Sequence, residues 1–448
     1  MKAICLNFFT SGARSSESPD LRQSFHWFRL NISSANSVSS LHMTHQRVTS
    51  ELEALPAFDH QPHTRIVFGF NAVDQVGDLA RGIGAKKVLL VTDPGIVAAG
   101  HAGRVRGNLE AAGLQVTLFD KARENPTTRS VDECLAVARP AAIDTIIGLG
   151  GGSSMDTAKA CNFLLTNGGR MQDYWGVGKA AKPMLPLIAI PTTAGTGSEC
   201  QSAALIVDEQ THQKMACLDP KAAARIAILD PNLTLSQPPR VAASAGIDAI
   251  AHAVETAVTR KRNPLSLVFS QQAFKLCLHS FPEILAHPDD VEARSRMLLG
   301  AAFAGLAIEN SMLGAAHAAA NPLTSQYGIV HGQAVGMMLP AVVRFNGADP
   351  AIRRAYAELM SAAEPLACSD GQQKAWETLI ARLEHLLDLT RAPRSLAECA
   401  VEREKIPVLA EAAARQWTAG FNPRPMGKEQ FMKLYEAAFQ PRQGVGNC

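Results

Sequence analysis

The segment "DTIIGLGGGSSMDTAK" (residues 144–159) decides the fold class of this chain of 448 residues. Its first half is a run of apolar and β-branched residues typical of a buried strand, and its second half has the composition of a helix. Between them, Gly150, Gly151 and Gly152 let the backbone approach a bound anion closely. The first N–H groups of the helix would face that anion. The segment predicts a phosphate-binding turn, although such a turn can also be a plain connection.

Four further stretches of the N-terminal half have the composition of strands and are separated by segments of helix length, which is the rhythm of a parallel sheet. They are "RIVFGF" (65–70), "KKVLLVTD" (86–93), "LQVTLFD" (114–120) and "PLIAIPTT" (186–193). After "ILDPNLTLSQPPR" (228–240) the chain is rich in Ala and Leu at helical spacing. We therefore predict an α/β domain over residues 60–237 and an all-helical domain over residues 238–448.

The first 42 residues differ in composition from the rest, with many Ser, several Arg and only two acidic residues. This bias is typical of an organellar transit peptide, and it also fits a disordered tail or a start codon assigned upstream of Met43. Under each of these interpretations, residues 1–42 lie outside the fold.

Composition limits the kinds of partner and the cell compartment that we expect for this protein. The formal net charge is +2 and 19% of residues are charged, without a basic cluster, so we expect no nucleic-acid partner. The nine cysteines are odd in number and form no C-x-x-C pair, which indicates reduced thiols and a cytoplasmic protein. No run of 18 apolar residues exists, so no membrane span is predicted.

Two other strand ends carry polar groups where ligands of parallel sheets bind. The stretch "IPTTAGTGSE" (190–199) follows an apolar strand with several hydroxyls, and Asp93 ends the strand of "LLVTDPG". A carboxylate there can accept hydrogen bonds from a ribose and would repel a 2′-phosphate, which favours NAD over NADP. By itself, Asp93 could equally be a helix cap or a turn residue.

The stretch "GIDAIAHAVE" (246–255) places Asp248 and His252 four residues apart on one face of a predicted apolar helix. A second apolar stretch (314–340) contains His317 and His331. Because Pro322 lies between them, we expect these two histidines on separate segments that converge through a turn. Any one of these histidines alone is more often a core residue. One carboxylate and three imidazoles together suit a divalent transition metal.

These motifs occur in an order that resembles the iron-containing, group III alcohol dehydrogenases, over about residues 60 to 440. The motifs that carry the resemblance are "LLVTDPG", "ENPT", "GLGGGSSMDTAK", "IPTTAGTGSE", "KMACLDP", "ILDPNLT", "AGIDAIAHAVE" and the segment from His317 to His331. The resemblance implies a Rossmann-like dinucleotide-binding domain followed by an all-helical metal-binding domain, with the active site between them. It also implies a homodimer that acts on a small alcohol or aldehyde.

Residue roles follow from the same resemblance. It implies that the metal, Fe²⁺ or alternatively Zn²⁺, is held by Asp248, His252, His317 and His331. It implies that NAD contacts Asp93 at the adenosine ribose, Asn125, the turn residues Gly151, Gly152, Ser153 and Asp156, the hydroxyls of Thr192, Thr193 and Ser198, and Lys214. The expected reaction is hydride transfer between the alcohol carbon and the nicotinamide, with the ion as Lewis acid on the oxygen.

One position departs from the family pattern. Many relatives have a histidine four residues after the one at His317, near the nicotinamide, and this chain has Asn321 there. An amide can contact substrate or nicotinamide but cannot carry a proton near neutral pH. We therefore expect proton transfer through ribose hydroxyls and water, or a substrate other than a simple primary alcohol.

Other functions stay open at this point. A hydroxyacid–oxoacid transhydrogenase or a maleylacetate reductase would use the same fold on a carboxylated substrate. A metal-dependent lyase of the dehydroquinate synthase type, or a metal-dependent hydrolase, would use the metal with a nucleotide that is structural or absent. A non-catalytic nucleotide-binding protein would not need one Asp and three His together.

Overall fold

A computed structural model describes residues 56–211 and 213–440. Its centre is a six-stranded parallel sheet with the strand order β1-β9-β6-β4-β2-β3. The strands of this sheet are β1 (Arg65–Phe68), β2 (Lys87–Val91), β3 (Gln115–Phe119), β4 (Thr145–Gly150), β6 (Leu187–Pro191) and β9 (Ile226–Leu229). Strands β4, β6 and β9 are buried along their whole length, as expected for a parallel sheet covered on both faces.

All five predicted strands are present in this sheet, each a few residues shorter than predicted. Strand β9 is a sixth member that the sequence analysis did not identify. Its four residues lie between Arg225 and Asp230, and so short an apolar run gives no clear periodicity.

A second, smaller sheet was also missed. It has the order β5-β8-β7, in which β7 and β8 form an antiparallel pair. Its strands are β5 (Gly176–Val177), β7 (Ala203–Val207) and β8 (Lys214–Leu218). A single β-bridge between Thr127 and Val207 links this second sheet to the loop that precedes the helix beginning at Thr128.

Helices alternate with the strands in the first part of the chain and follow one another in the second. The first group is α1 (Val76–Gly82), α2 (Pro94–Ala98), α3 (His101–Ala111), α4 (Thr128–Ala141) and α5 (Gly152–Asn167). The second group is α6 (Pro239–Thr256), α7 (Pro264–Ala286), α8 (Val291–Ser311), α9 (Ala315–Tyr327), α10 (His331–Asn346), α11 (Pro350–Ala363), α12 (Gln372–Leu389), α13 (Ile406–Ala414) and α14 (Lys428–Phe439). The predicted α/β fold followed by a helical region is confirmed.

The predicted boundary at residues 237–238 falls just before α6. Every element described after Leu229 is helical. That residues 60–237 and 238–448 are separate domains stays a prediction. The proposed extension of residues 1–42 lies outside the described residues.

The helix break predicted between His317 and His331 does not occur at Pro322. Helix α9 continues through this proline and ends at Tyr327, and the chain turns at Gly328, whose φ of 64° is left-handed. His317 and His331 therefore do lie on separate helices, as predicted, but because of Gly328.

No single helix in residues 56–211 or 213–440 is long and apolar enough to cross a membrane. Helices α8 and α9 meet the length and hydropathy criterion only as a pair, across a bend of 107°.

Candidate active site

Three of the four residues predicted from sequence to bind the metal lie together on two helices. Asp248 and His252 lie one turn apart on α6, and His317 lies on α9. The Asp248 Oδ1 atom is 3.6 Å from His252 Nε2 and 3.5 Å from His317 Nε2. One ligand atom from each residue lies within 4.8 Å of the others, and all three side chains are buried. The fold thus brings three of the four predicted ligands together.

His331, the fourth predicted ligand, is the first residue of α10 and stands beside this group. Its ring centroid is 5.5 Å from that of His317, and the rings of His317 and His252 are 4.8 Å apart. His331 is outside the set that lies within 4.8 Å, which contains Asp248, His252 and His317. A ligand role for it stays a prediction.

Each of the four side chains has a buried polar atom without a hydrogen-bond partner. These atoms are Asp248 Oδ1, His252 Nδ1, His317 Nε2 and His331 Nδ1. An unpaired buried polar atom costs about 1–3 kcal/mol, so one such atom on each of these four side chains indicates that the site binds a ligand.

The charges of the site suit a cation. Burial lowers the pKa of His252 to about 4 and that of His331 to about 3, so both rings are neutral at neutral pH. Burial acts to raise the pKa of Asp248, but the facing histidines outweigh it and hold that pKa well below its usual range. A neutral imidazole and an ionised carboxylate are the forms that bind metals.

Glu255, the last residue of "GIDAIAHAVE", belongs to the site and was not predicted. Its Oε2 atom is 2.5 Å from His317 Nδ1. Burial acts to lower the pKa of His317, but the carboxylates of Glu255 and Asp248 raise it to about 9. The available signal was a second carboxylate, three residues after His252, in an apolar helix.

The second part of the site lies at the carboxyl ends of β2, β4 and β6, which are neighbours in the sheet. Asp93 caps α2 by accepting from the N–H of Ile96 at 3.1 Å, and it accepts from Ser154 Oγ at 3.2 Å. Asp93 is therefore both a helix cap and a carboxylate beside the glycine turn. The two interpretations of the sequence are compatible.

The glycine turn follows β4 directly. Gly150 has a φ of 143°, which a side chain disfavours. A Cβ on Gly152 would lie 2.8 Å from Thr196 Cγ2, whereas one on Gly151 would make ordinary contact at 3.5 Å with Thr193. Gly151, the N-cap residue of α5, makes no side-chain cap. The first N–H groups of a helix have no partner within it, so at α5 they are not satisfied by a capping side chain.

The hydroxyl-rich loop that follows β6 faces the glycine turn. Some of the residues predicted to contact the cofactor bond to other parts of the protein. Ser198 Oγ donates to Asp156 Oδ1 at 2.9 Å, and Asp156 Oδ2 accepts from the N–H of Leu205 at 3.3 Å. Asp156 thus supports the loop from inside, and its contact with the cofactor stays a prediction. The Thr192 hydroxyl is buried without a partner, which leaves it available to a ligand.

Lys159 was missed and holds the same loop. Its Nζ atom is fully buried and lies within 3.0 Å of four oxygens. These are the carbonyl and hydroxyl oxygens of Ser198 and the carbonyls of Gln201 and Ala203. Burial lowers the pKa of Lys159, and the charge of Asp156 opposes this. A lysine inside a buried helix was the available signal.

The remaining predicted residues flank these groups. Asn125 is half-buried with a left-handed φ of 52° just before α4. Lys214 begins β8, and burial lowers its pKa against the charges of Asp156 and Asp248. Asn321 lies one turn after His317, and its Nδ2 donates to Gln416 Oε1 at 3.0 Å.

The fold and the site together define a nucleotide-binding α/β protein with a metal centre in its helical region. Two family models match the chain: iron-containing alcohol dehydrogenase over residues 62–231, and the C-terminal family of Fe-containing alcohol dehydrogenases over residues 242–439. The chain belongs to the iron-containing alcohol dehydrogenase family. The predicted enzyme class is confirmed.

Individual relatives agree with this family. The NAD-dependent methanol dehydrogenase of Bacillus methanolicus is 36% identical over 80% of this chain and 93% of its own. Alcohol dehydrogenase 4 of Schizosaccharomyces pombe is 32% identical over 91% of this chain and 94% of its own. The crystal structure of a 1,3-propanediol oxidoreductase superimposes with a TM-score of 0.83 at 30% identity, covering 86% of this chain and all of that one.

Proposed function

We propose that this protein transfers hydride between a small alcohol and NAD⁺, with a divalent ion in the helical region. The observation that carries the proposal is the buried cluster of Asp248, His252 and His317, whose ligand atoms lie within 4.8 Å of one another, with His331 beside it. A non-catalytic nucleotide-binding protein would have no need of this cluster.

The donor set fits the metal. One carboxylate and three imidazoles suit a divalent transition ion, and the resident ion we propose is iron, in agreement with the family. Zinc also binds such ligands, so supply decides between the two ions. When bound, the ion supplies Lewis acidity at the alcohol or carbonyl oxygen.

The cofactor that we propose is NAD. The methanol dehydrogenase relative is NAD-dependent by name. In this chain the Asp93 carboxylate would accept from the adenosine ribose, and the N–H groups at the start of α5 would face the pyrophosphate. Further contacts are proposed for Asn125, Gly151, Gly152, Ser153, Asp156, Thr192, Thr193, Ser198 and Lys214.

Asn321 orients substrate or nicotinamide in this proposal and does not relay a proton. Its amide is tied to Gln416, and neither side chain titrates. The alcohol proton would then leave by another route, through water and the hydroxyls that a bound ribose would supply, or the substrate would differ from a simple primary alcohol. A homodimer and a cytoplasmic location complete the proposal.

The test is reduction of NAD⁺ by a panel of small alcohols, diols and hydroxyacids, followed at the absorbance band of NADH. The purified protein is first stripped of metal and then loaded with Fe²⁺ or Zn²⁺. We expect turnover with a simple alcohol only after loading. Turnover by the stripped protein at the same rate would contradict the metal role, and turnover restricted to a hydroxyacid would support the transhydrogenase alternative.

A further inference from the structure

Glu255 is the buried carboxylate of the site that the proposed function does not use. It lies on α6 with Asp248 and His252 and is 3% exposed. Both of its oxygens are bonded to α9: Oε2 is 2.5 Å from His317 Nδ1, and Oε1 accepts from the N–H of Ala316 at 2.6 Å. One carboxylate thus joins two of the three helices that carry the proposed ligands.

The start of α9 is shaped to receive this carboxylate. Gly314 precedes the helix, and a Cβ there would lie only 3.1 Å from Glu255 Oε1. The N–H of Ala316 is one of the free donors of the first helical turn, where a negative charge is favoured. These contacts fix the position of Glu255, so the side chain cannot turn away from His317.

The hydrogen bond with Glu255 determines which nitrogen of His317 is available to bind a metal. An ionised carboxylate only accepts hydrogen bonds, so His317 Nδ1 carries the proton that it donates to Glu255. In a neutral ring the lone pair is then on Nε2, the atom 3.5 Å from Asp248 Oδ1 and without a hydrogen-bond partner.

We propose that Glu255 is a positioning residue that fixes the tautomer and the ring orientation of His317 for metal binding. It also supplies a second negative charge, which together with Asp248 balances a divalent ion in a buried site. This inference rests on the proposed metal centre. Carboxylates bonded to the second nitrogen of a ligating histidine raise the affinity of metal sites in general.

The substitution Glu255→Gln separates this role from simple packing, because it preserves size and can preserve both contacts. If the amide oxygen accepts from Ala316, the amide nitrogen must donate to His317 Nδ1. The ring proton then moves to Nε2, the atom that should bind the ion. The substitution therefore keeps both hydrogen bonds but removes the lone pair with which His317 Nε2 would bind the ion.

The experiment is a titration of the stripped full-length protein with Zn²⁺ alone, in competition with a chelator. We expect Glu255→Gln to raise the dissociation constant by about 10–100-fold. Glu309→Gln is the matched control: Glu309 lies on a different helix, α8, and accepts from the N–H and the hydroxyl of Ser202, so its substitution should leave zinc affinity unchanged. The ¹⁵N spectrum of zinc-loaded wild type should show the His317 proton on Nδ1.

Three outcomes overturn the inference: an unchanged zinc affinity in Glu255→Gln, an equal loss in Glu309→Gln, or a His317 proton on Nε2 in the wild type. If Glu255→Gln does not fold, Glu255→Asp serves, because it keeps the charge but cannot span both contacts. It should weaken zinc binding, and unchanged affinity would contradict the role. A wild type that binds no zinc would instead refute the metal centre itself.

Discussion

The ring of His317 is held between two carboxylates of a single helix: Nδ1 lies 2.5 Å from Glu255 Oε2, and Nε2 lies 3.5 Å from Asp248 Oδ1. Asp248, His252 and Glu255 occupy positions i, i+4 and i+7 of α6, which is one helical face. Helix α6 thus carries two of the proposed ligands, and Glu255 on the same helix bonds to a third.

Removing a ligand should abolish metal binding and leave nucleotide binding intact. His252→Ala and His331→Ala delete side chains of the helical region, whereas the glycine turn follows β4. We expect turnover to be lost and metal content to fall after purification, while NAD⁺ still binds in a calorimetric titration.

His63→Ala, at an exposed histidine outside the metal group, is the control for this experiment and should retain metal and activity. Full metal content and activity in His331→Ala would remove that residue from the ligand set and leave the three residues that lie within 4.8 Å of one another.

Gly151→Ala tests whether the glycine turn binds the cofactor. A Cβ at this position makes only ordinary contact with Thr193, at 3.5 Å, so the free protein should fold with an unchanged melting temperature. A bound pyrophosphate would meet the added methyl group, and we expect the dissociation constant of NAD⁺ to rise by about tenfold or more. Unchanged NAD⁺ affinity would show that the turn is only a connection.

Gly152→Val is the less specific variant at the same turn. A Cβ there would lie 2.8 Å from Thr196 Cγ2, so the protein itself must shift. We expect weaker NAD⁺ binding together with a lower melting temperature, and an unchanged metal content, measured on the same preparation.

Asp93→Asn should change the choice of cofactor without removing the helix cap. An Asn oxygen can still accept from the N–H of Ile96, while the charge that would repel a 2′-phosphate is gone. The ratio of kcat/KM for NADP⁺ over NAD⁺ should rise by about tenfold, or about 1.4 kcal/mol. A wild type that already prefers NADP⁺ would contradict the ribose contact.

Glu199 should make stability depend on pH. Burial raises the pKa of this carboxyl from 4.5 to about 7 in the folded protein. The folded state therefore favours the protonated form, and the stability it provides is lost as pH rises from 4.5 towards 7. Relative to wild type, Glu199→Gln should gain up to about 3 kcal/mol in unfolding free energy between pH 5 and pH 8.

The measurement is urea unfolding of the metal-free protein across that range. Glu110→Gln, at an exposed carboxylate paired with Arg106, is the control and should not reproduce the gain in unfolding free energy of Glu199→Gln. A pH-independent difference for Glu199→Gln would mean that Glu199 is ionised throughout.

The sequence determined the fold class, five of the nine strands in residues 56–211 and 213–440, and the four candidate ligands. Those strands are continuous apolar runs that end at glycine, proline or acidic residues, and this pattern is local. Asp248 and His252 were predictable as a pair because helical spacing alone places them on one face. The motif order gave the family, which two family models confirm.

Only the tertiary structure decided which polar side chains line the candidate binding sites and which bond to other parts of the protein. Asp156 bonds to Ser198, 42 residues away, and Glu255 bonds to His317, 62 residues away. Lys159 likewise joins α5 to a loop that is distant in sequence. A buried charge is stable only where the fold brings it a partner. Since that partner comes from another element, no local pattern in the sequence reveals it.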